Sequence, residues 1–425
     1  MIRLPAEWPH SIRLANATIP GAVVASAGGE TIRADLVLAG GVIQAIGPAG
    51  TGPESTATID LAGRIVWPCF LDAHTHLDKT QIWGRTPNPD GSFAGALGSV
   101  ASDRAARWSA EDVIRRMDFG LRAAYAHGTG AIRTHLDSEA AQAAISWGVF
   151  REMRQEWRDR VTLQAVSLVG IEALRDADAA ESLAGLVKES GGILGAVTYA
   201  VPDRPALLDR LFYLAERYDL ALDLHVDEND DPDGASLGLI AETVLRRRFS
   251  APVSVGHCCS IALQDEAEID RVLDRVAEAG MSVITLPSCN LYLQDRRPGR
   301  TPRWRGVTLL HEMRARGIRV VIAGDNCRDP FFAYGDHDMA EVFRDAVRIL
   351  HLDHPFGDWP ASVNRWPARL MGLPDPVLVP GAAADLVIFD GRSFNEMLCR
   401  PQTARIVLRQ GRPIDTTLPD YALLD

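Results

Sequence analysis

Between residues 65 and 325, short apolar runs alternate with amphipathic stretches so regularly that few architectures remain open. The runs fall near 65–74, 130–136, 161–169, 193–200, 221–227, 253–258, 281–286 and 319–325. The intervening stretches carry helix-end signals. Ser109-Ala110-Glu111-Asp112 sets a capping serine and an acidic first turn ahead of Val113, Ile114, Met117 and Leu121, and Gly128 closes the segment. Asp203-Arg204-Pro205 opens another helix, with Leu207, Leu208, Leu211, Phe212 and Leu214 on one broad face. Ile269, Val272, Leu273 and Val276 repeat the spacing before Gly280. Eight strand-then-helix units predict a parallel sheet with helices outside, and eight is the number that closes a (β/α)8 TIM-type barrel. An open doubly wound sheet is the competitor, but no G-x-G-x-x-G follows an early strand.

The two ends of the chain have a different texture. Short alternating runs at 11–15, 35–39 and 42–46 are separated by Gly40-Gly41 and Gly47-Pro48, the pattern of a β-meander. The same texture returns at 384–389 and 404–411. This predicts a small β-sandwich domain assembled from residues 1–66 and 376–425, with the barrel, residues 67–375, inserted between its halves.

Composition excludes several classes. A net charge of −12 over 425 residues argues against nucleic-acid binding, which needs a concentrated basic surface. No run is apolar and long enough for a membrane span, and the N-terminal residues show no signal-peptide core. Cys69, Cys258, Cys259, Cys289, Cys327 and Cys399 have no regular spacing, as expected of reduced thiols. A soluble cytoplasmic protein is therefore expected, acting on a small molecule without a nucleic-acid or membrane partner; a homo-oligomer is compatible with the sequence.

In a barrel of this kind, chemistry gathers at the C-terminal ends of the strands. The first run leads into His74-Thr75-His76, and residues two apart on an extended backbone point the same way. His225, His257 and Asp325 end three later runs. Alone, each is more often a hydrogen-bonded structural residue or a turn residue. Together they form a set of nitrogen and oxygen donors suited to a borderline divalent metal.

The segments His74-Thr75-His76-Leu77-Asp78, Arg133-Thr134-His135-Leu136-Asp137, His225-Val226-Asp227-Glu228 and Gly324-Asp325-Asn326-Cys327-Arg328-Asp329-Pro330 resemble the amidohydrolase superfamily, in particular its bacterial cytosine deaminase-like branch. The late Pro380-Gly381-Ala382-Ala383-Ala384-Asp385 is similar to the segment that returns such chains to the small domain. The resemblance implies one divalent metal ion, zinc or iron before manganese, held by His74, His76, His225 and Asp325. It implies that His257 hydrogen-bonds the nucleophilic water or the substrate, that Asp325 takes the water's proton, and that Glu228 shuttles a proton to the ring and the leaving amine. The lysine that bridges metal pairs elsewhere in the superfamily is missing from 193–200, since the chain's two lysines are Lys79 and Lys188.

The departures from the cytosine deaminase pattern concern substrate. Gly170 stands where that branch has a glutamine reading the pyrimidine amide edge, Asn326 replaces a second aspartate, and Phe331 replaces a tryptophan. Losing an amide reader changes which ring edge a site accepts. The sequence thus predicts a metal-dependent hydrolytic deaminase of a small nitrogen heterocycle, cytosine- or isocytosine-like or a related ring. The alternatives are release of an alkylamine from a triazine-type ring, cyclic-amide hydrolysis, and a non-catalytic heterocycle-binding relative. His135 and His337 are candidates for the cavity wall, and His351 with His354 for a surface loop.

Overall fold

The computed structural model describes residues 4–5, 7–24, 29–51, 57–401 and 404–425. The chain divides into two compact units: Met1–Asp72 with Arg122–Gly130 and Asp338–Pro419, and Ala73–Leu121 with Ala131–His337 and Asp420–Asp425.

The first unit holds two four-stranded sheets. One runs in the order Val42–Pro48, Thr31–Ala39, Ser11–Pro20, Ala57–Asp60. The other joins Val66–Pro68 antiparallel to Leu386–Phe389, which pairs in turn with Arg405–Arg409, so one sheet takes strands from both ends of the chain. The second sheet is backed by an aromatic cluster. Trp67 meets Phe70, Phe343 and Phe394 edge-on, with ring centroids 5.6, 5.4 and 5.9 Å apart. Each buried ring of this kind contributes about 1.5–3 kcal/mol through the area it removes from water. Phe343 lies on the helix Met339–Leu350, which explains why residues 338–375, read from sequence as barrel, group with the terminal sheets.

Most of the barrel strands lie in the second unit, which takes up the first strand at Ala73 and the second at Ala131. Phe70–Thr75, Thr129–Asp137 and Thr162–Leu168 follow one another in one sheet; Leu222–Val226, Val253–His257, Ser282–Thr285 and Arg319–Ile322 form a parallel second one. The segment 193–197 joins them through bridges from Ile193 to Val166, Val197 to Gly170, Leu194 to Leu222 and Val197 to His225. A bridge between Thr75 and Asp325 completes the ring. The fourth strand pairs sparsely for a local reason. Gly195 N donates to Ser167 Oγ at 2.9 Å and Ser167 Oγ donates to Gly195 O at 3.0 Å, so a hydroxyl replaces part of the backbone ladder.

The helices start and stop as their sequences direct. Ala110–Ala126 begins after Ser109, and Gly128 turns the chain at φ +93°. Arg204–Tyr218 takes Pro205 in its first turn and buries Leu207, Leu208, Leu211, Phe212 and Leu214. No helix among the described residues is long and apolar enough to cross a membrane.

Candidate metal centre and active site

The ends of the first, fifth and eighth barrel strands bring four donors together. One ligand atom from each of His74, His76, His225 and Asp325 lies within 4.8 Å of the others, and all four residues are buried. His76 Nε2 is 3.1 Å and His74 Nε2 is 3.5 Å from Asp325 Oδ1, and His225 Nε2 is 3.4 Å from His76 Nε2. Burial holds all three imidazoles well below their ordinary pKa, with neighbouring positive charge adding to it. They therefore stand neutral with lone pairs available, and three such nitrogens converging with one carboxylate oxygen fit a single divalent cation.

The backbone aims these side chains by unusual turns. His257, Cys258 and Asp325 have φ of 69°, 50° and 70°, left-handed conformations that persist only where surrounding bonds impose them. Asp325 is tied by its N–H to His74 O at 2.8 Å and by its carbonyl to Thr75 Oγ1 at 2.7 Å. Asp227 accepts from Ser236 N, Ser236 Oγ and Leu237 N at 2.7, 2.7 and 3.0 Å, which fixes the loop carrying Glu228.

Beside the donor cluster opens a cavity of about 310 Å³ lined by Glu228, His257, Asp325, Gly170, Asn326 and Phe331, among others. Burial first, then the Asp325 carboxylate, pushes Glu228 well above the ordinary carboxyl range, the direction a proton-delivering acid requires. Its Oε1 is 3.5 Å from His257 Nδ1. The Asn326 amide donates to Asp329 Oδ2 at 2.6 Å, and its carbonyl faces Cys289 Sγ at 3.7 Å.

Other candidate histidines are placed differently. His135 is buried, its ring centroid 3.9 Å from that of His74, and neither ring nitrogen has a hydrogen-bond partner among the described residues. It forms a second donor group with His74 and Asp223. His337 Nε2 meets Thr80 Oγ1 at 2.9 Å. His351 and His354 belong to none of the donor groups found among the described residues.

Three further residues form one cavity wall, and of these Arg104 lay outside every sequence motif. Lys79 Nζ is 2.7 Å from Asp137 Oδ1 and 5.6 Å from the centre of the Phe331 ring, and Arg104 Nη1 is 2.7 Å from Asp137 Oδ2. Lys79 lies three residues past His76 and Arg104 on the helix Phe93–Arg107, so only folding brings them to one wall. Lys188, in contrast, lies on the surface with its Nζ 3.5 Å from Asp219 Oδ2.

Comparison with known proteins identifies the family. The Amidohydrolase family model matches residues 119–415. The chain is 52% identical over 424 residues to a pterin deaminase of Rhizobium rhizogenes (strain K84), covering 98% of this chain and 97% of that protein. It is 23% identical over 370 residues to N-isopropylammelide isopropyl amidohydrolase of Pseudomonas sp. (strain ADP), covering 84% and 87%. Among solved structures it is similar to 5-methylcytosine deaminase from Klebsiella pneumoniae liganded with 5-fluorocytosine, with a TM-score of 0.83, 25% identity, and coverage of 96% and 98%. The chain belongs to the amidohydrolase family and is a hydrolytic deaminase.

Proposed function

We propose that this chain removes the 2-amino group of a pterin, a 2-amino-4-oxo pteridine, by hydrolysis. The observation that carries the reading is that Glu228 opens on the same cavity as His76, His225 and Asp325, three members of the buried donor set completed by His74. The likeness to a pterin deaminase along nearly the full chain supports the choice of ring. The reacting half of a pterin is an isocytosine, so the ring keeps the amidine chemistry that the sequence motifs call for.

His74, His76, His225 and Asp325 would hold a divalent ion, which when bound would supply Lewis-acid activation of water. Asp325 takes the proton of the attacking water. Glu228 delivers its own proton to the ring nitrogen beside the reacting carbon, receives the water proton from Asp325 and passes it to the departing amine, because a bare amide anion cannot leave. The hydroxyl proton released as the carbonyl forms returns Glu228 to its acid form. His257 lines the cavity and offers a hydrogen bond to the developing oxyanion from Nε2. One C–O bond forms, one C–N bond breaks, and ammonia and a dioxo ring result. The same reading assigns zinc or iron to the donors, a small β-sandwich to the two terminal sheets, and a cytoplasmic setting to the protein.

The test is ammonia release by metal-replete protein from pterin, isocytosine, cytosine and N-isopropylammelide. Release from pterin in clear preference to cytosine is expected. Silence across the whole panel overturns the reading.

A further inference from the structure

We infer that Glu172 selects the substrate by accepting a hydrogen bond from the ring N–H beside the carbon that loses its amine. This rests on the pterin reading and names the residue that makes the choice of ring.

Gly170 leaves a space at the end of the third barrel strand, and the Glu172 side chain occupies it. A Cβ placed on Gly170 would lie 2.4 Å from Glu172 Oε1 and 2.7 Å from Oε2, so the glycine is what allows the carboxylate to sit there. Glu172 lines the same cavity as Glu228, and its Oε2 is buried with no hydrogen-bond partner among the described residues. A buried carboxylate oxygen without a donor is costly, and a ligand N–H is a natural way to satisfy it.

The barrel register sets Glu172 and Glu228 on two sides of one strand. Gly170, Val197 and His225 are bridged in that order across the third, fourth and fifth strands. The two acids thus rise from strands two spacings apart, roughly 10 Å at the strand level. Tyr199 lies between these strands, its phenol raised chiefly by burial.

This arrangement matches the two flanks of a 2-amino-4-oxo ring. Its reacting carbon has a bare nitrogen, N1, on one side and N3–H on the other. Glu228 serves the bare nitrogen as acid, and Glu172 serves N3–H as acceptor. In cytosine the reacting carbon is flanked by a bare nitrogen and a C–H, which leaves Glu172 unsatisfied. A glutamine reads an N–H and a C=O together, whereas a carboxylate accepts only, so replacing one by the other changes the ring edge that is tolerated.

The experiment compares kcat/KM for pterin and 3-methylpterin in the wild type and in Glu172→Ala and Glu172→Gln, with metal content measured in each. The wild type should favour pterin by on the order of 100-fold, the size of a buried hydrogen-bond loss. Glu172→Ala should shrink that preference to a few-fold at unchanged metal content, and Glu172→Gln should fall between. A wild type that accepts both rings equally overturns the inference without any variant. So does Glu172→Ala that keeps the full preference or loses activity equally on both rings. A wild type inactive on pterin overturns the functional reading, and this inference with it.

Discussion

Asn290 Nδ2 lies 2.9 Å from His257 Nδ1, and this contact decides which imidazole nitrogen carries the proton. An amide N–H donating to Nδ1 leaves the hydrogen on Nε2, which is buried and has no hydrogen-bond partner among the described residues. Burial holds the ring pKa down to about 3, so it stays neutral throughout the working range. Asn290→Asp presents an acceptor to Nδ1 and demands the opposite tautomer. The expected result is a fall in kcat of about 100-fold, the usual size of a lost oxyanion donor, at unchanged metal content. An unaltered kcat would remove His257 Nε2–H from the mechanism.

Glu228 should dominate the alkaline limb of the pH profile. Burial and the Asp325 carboxylate raise its pKa, so the acid form persists well above the ordinary carboxyl range. Activity that depends on this proton is present below the raised pKa and declines as pH rises through it. Glu228→Gln cannot cycle a proton, so turnover should fall by about 100- to 10,000-fold with metal retained. Steady-state ammonia release across pH, with metal content in parallel, checks both statements. A variant that keeps wild-type turnover removes Glu228 from its role.

The parts of the fold and site that were legible in the sequence are those whose signal is local. Apolar runs and capping residues announced the barrel strands and the helices Ala110–Ala126 and Arg204–Tyr218. Strand-end histidines followed from their runs, and the structure brings His74, His76, His225 and Asp325 into one cluster. Asp137 closed a recognisable segment, but its pairing with Lys79 and Arg104 was invisible because the three come from a strand end, a loop and a helix that meet only on folding. Asn290 was missed because it sits on the short helix Pro287–Leu293, whose seven residues carry no usable periodicity. The helix Met339–Leu350 has the period of a barrel helix, yet Phe343 commits it to the aromatic core of the terminal sheets.

Gly256 connects backbone packing to the metal centre. A Cβ there would lie 3.0 Å from His74 Cε1 and 3.2 Å from His74 Nδ1, tighter than ordinary contact by a few tenths of an ångström. Gly256→Ala should push the His74 ring without unfolding the barrel, since the contact is to one side chain and not to backbone. Metal sites are sensitive to displacement of a ligand or its support, with losses of about 10- to 100-fold in affinity. Competition with a chelator should show weakened metal retention in Gly256→Ala at near-normal thermal stability. Wild-type retention would mean that His74 can shift without cost.

Asp329 makes stability depend on mildly acidic pH. Burial raises its carboxyl from the ordinary 3.8 to about 6, against hydrogen bonds from Asn326, Phe331 N and Phe332 N. Because the folded state holds this proton more tightly than the unfolded chain, the contribution is complete below pH 4 and disappears as pH rises through about 6. A shift of this size is worth on the order of 3 kcal/mol across that window. Asp329→Asn does not titrate, so the stability of the wild type relative to the variant should decline between pH 4 and 7. Urea unfolding of both proteins at several pH values measures the difference directly. A difference that stays constant with pH, or grows in favour of the wild type, would show that the buried carboxyl is already ionised throughout this range.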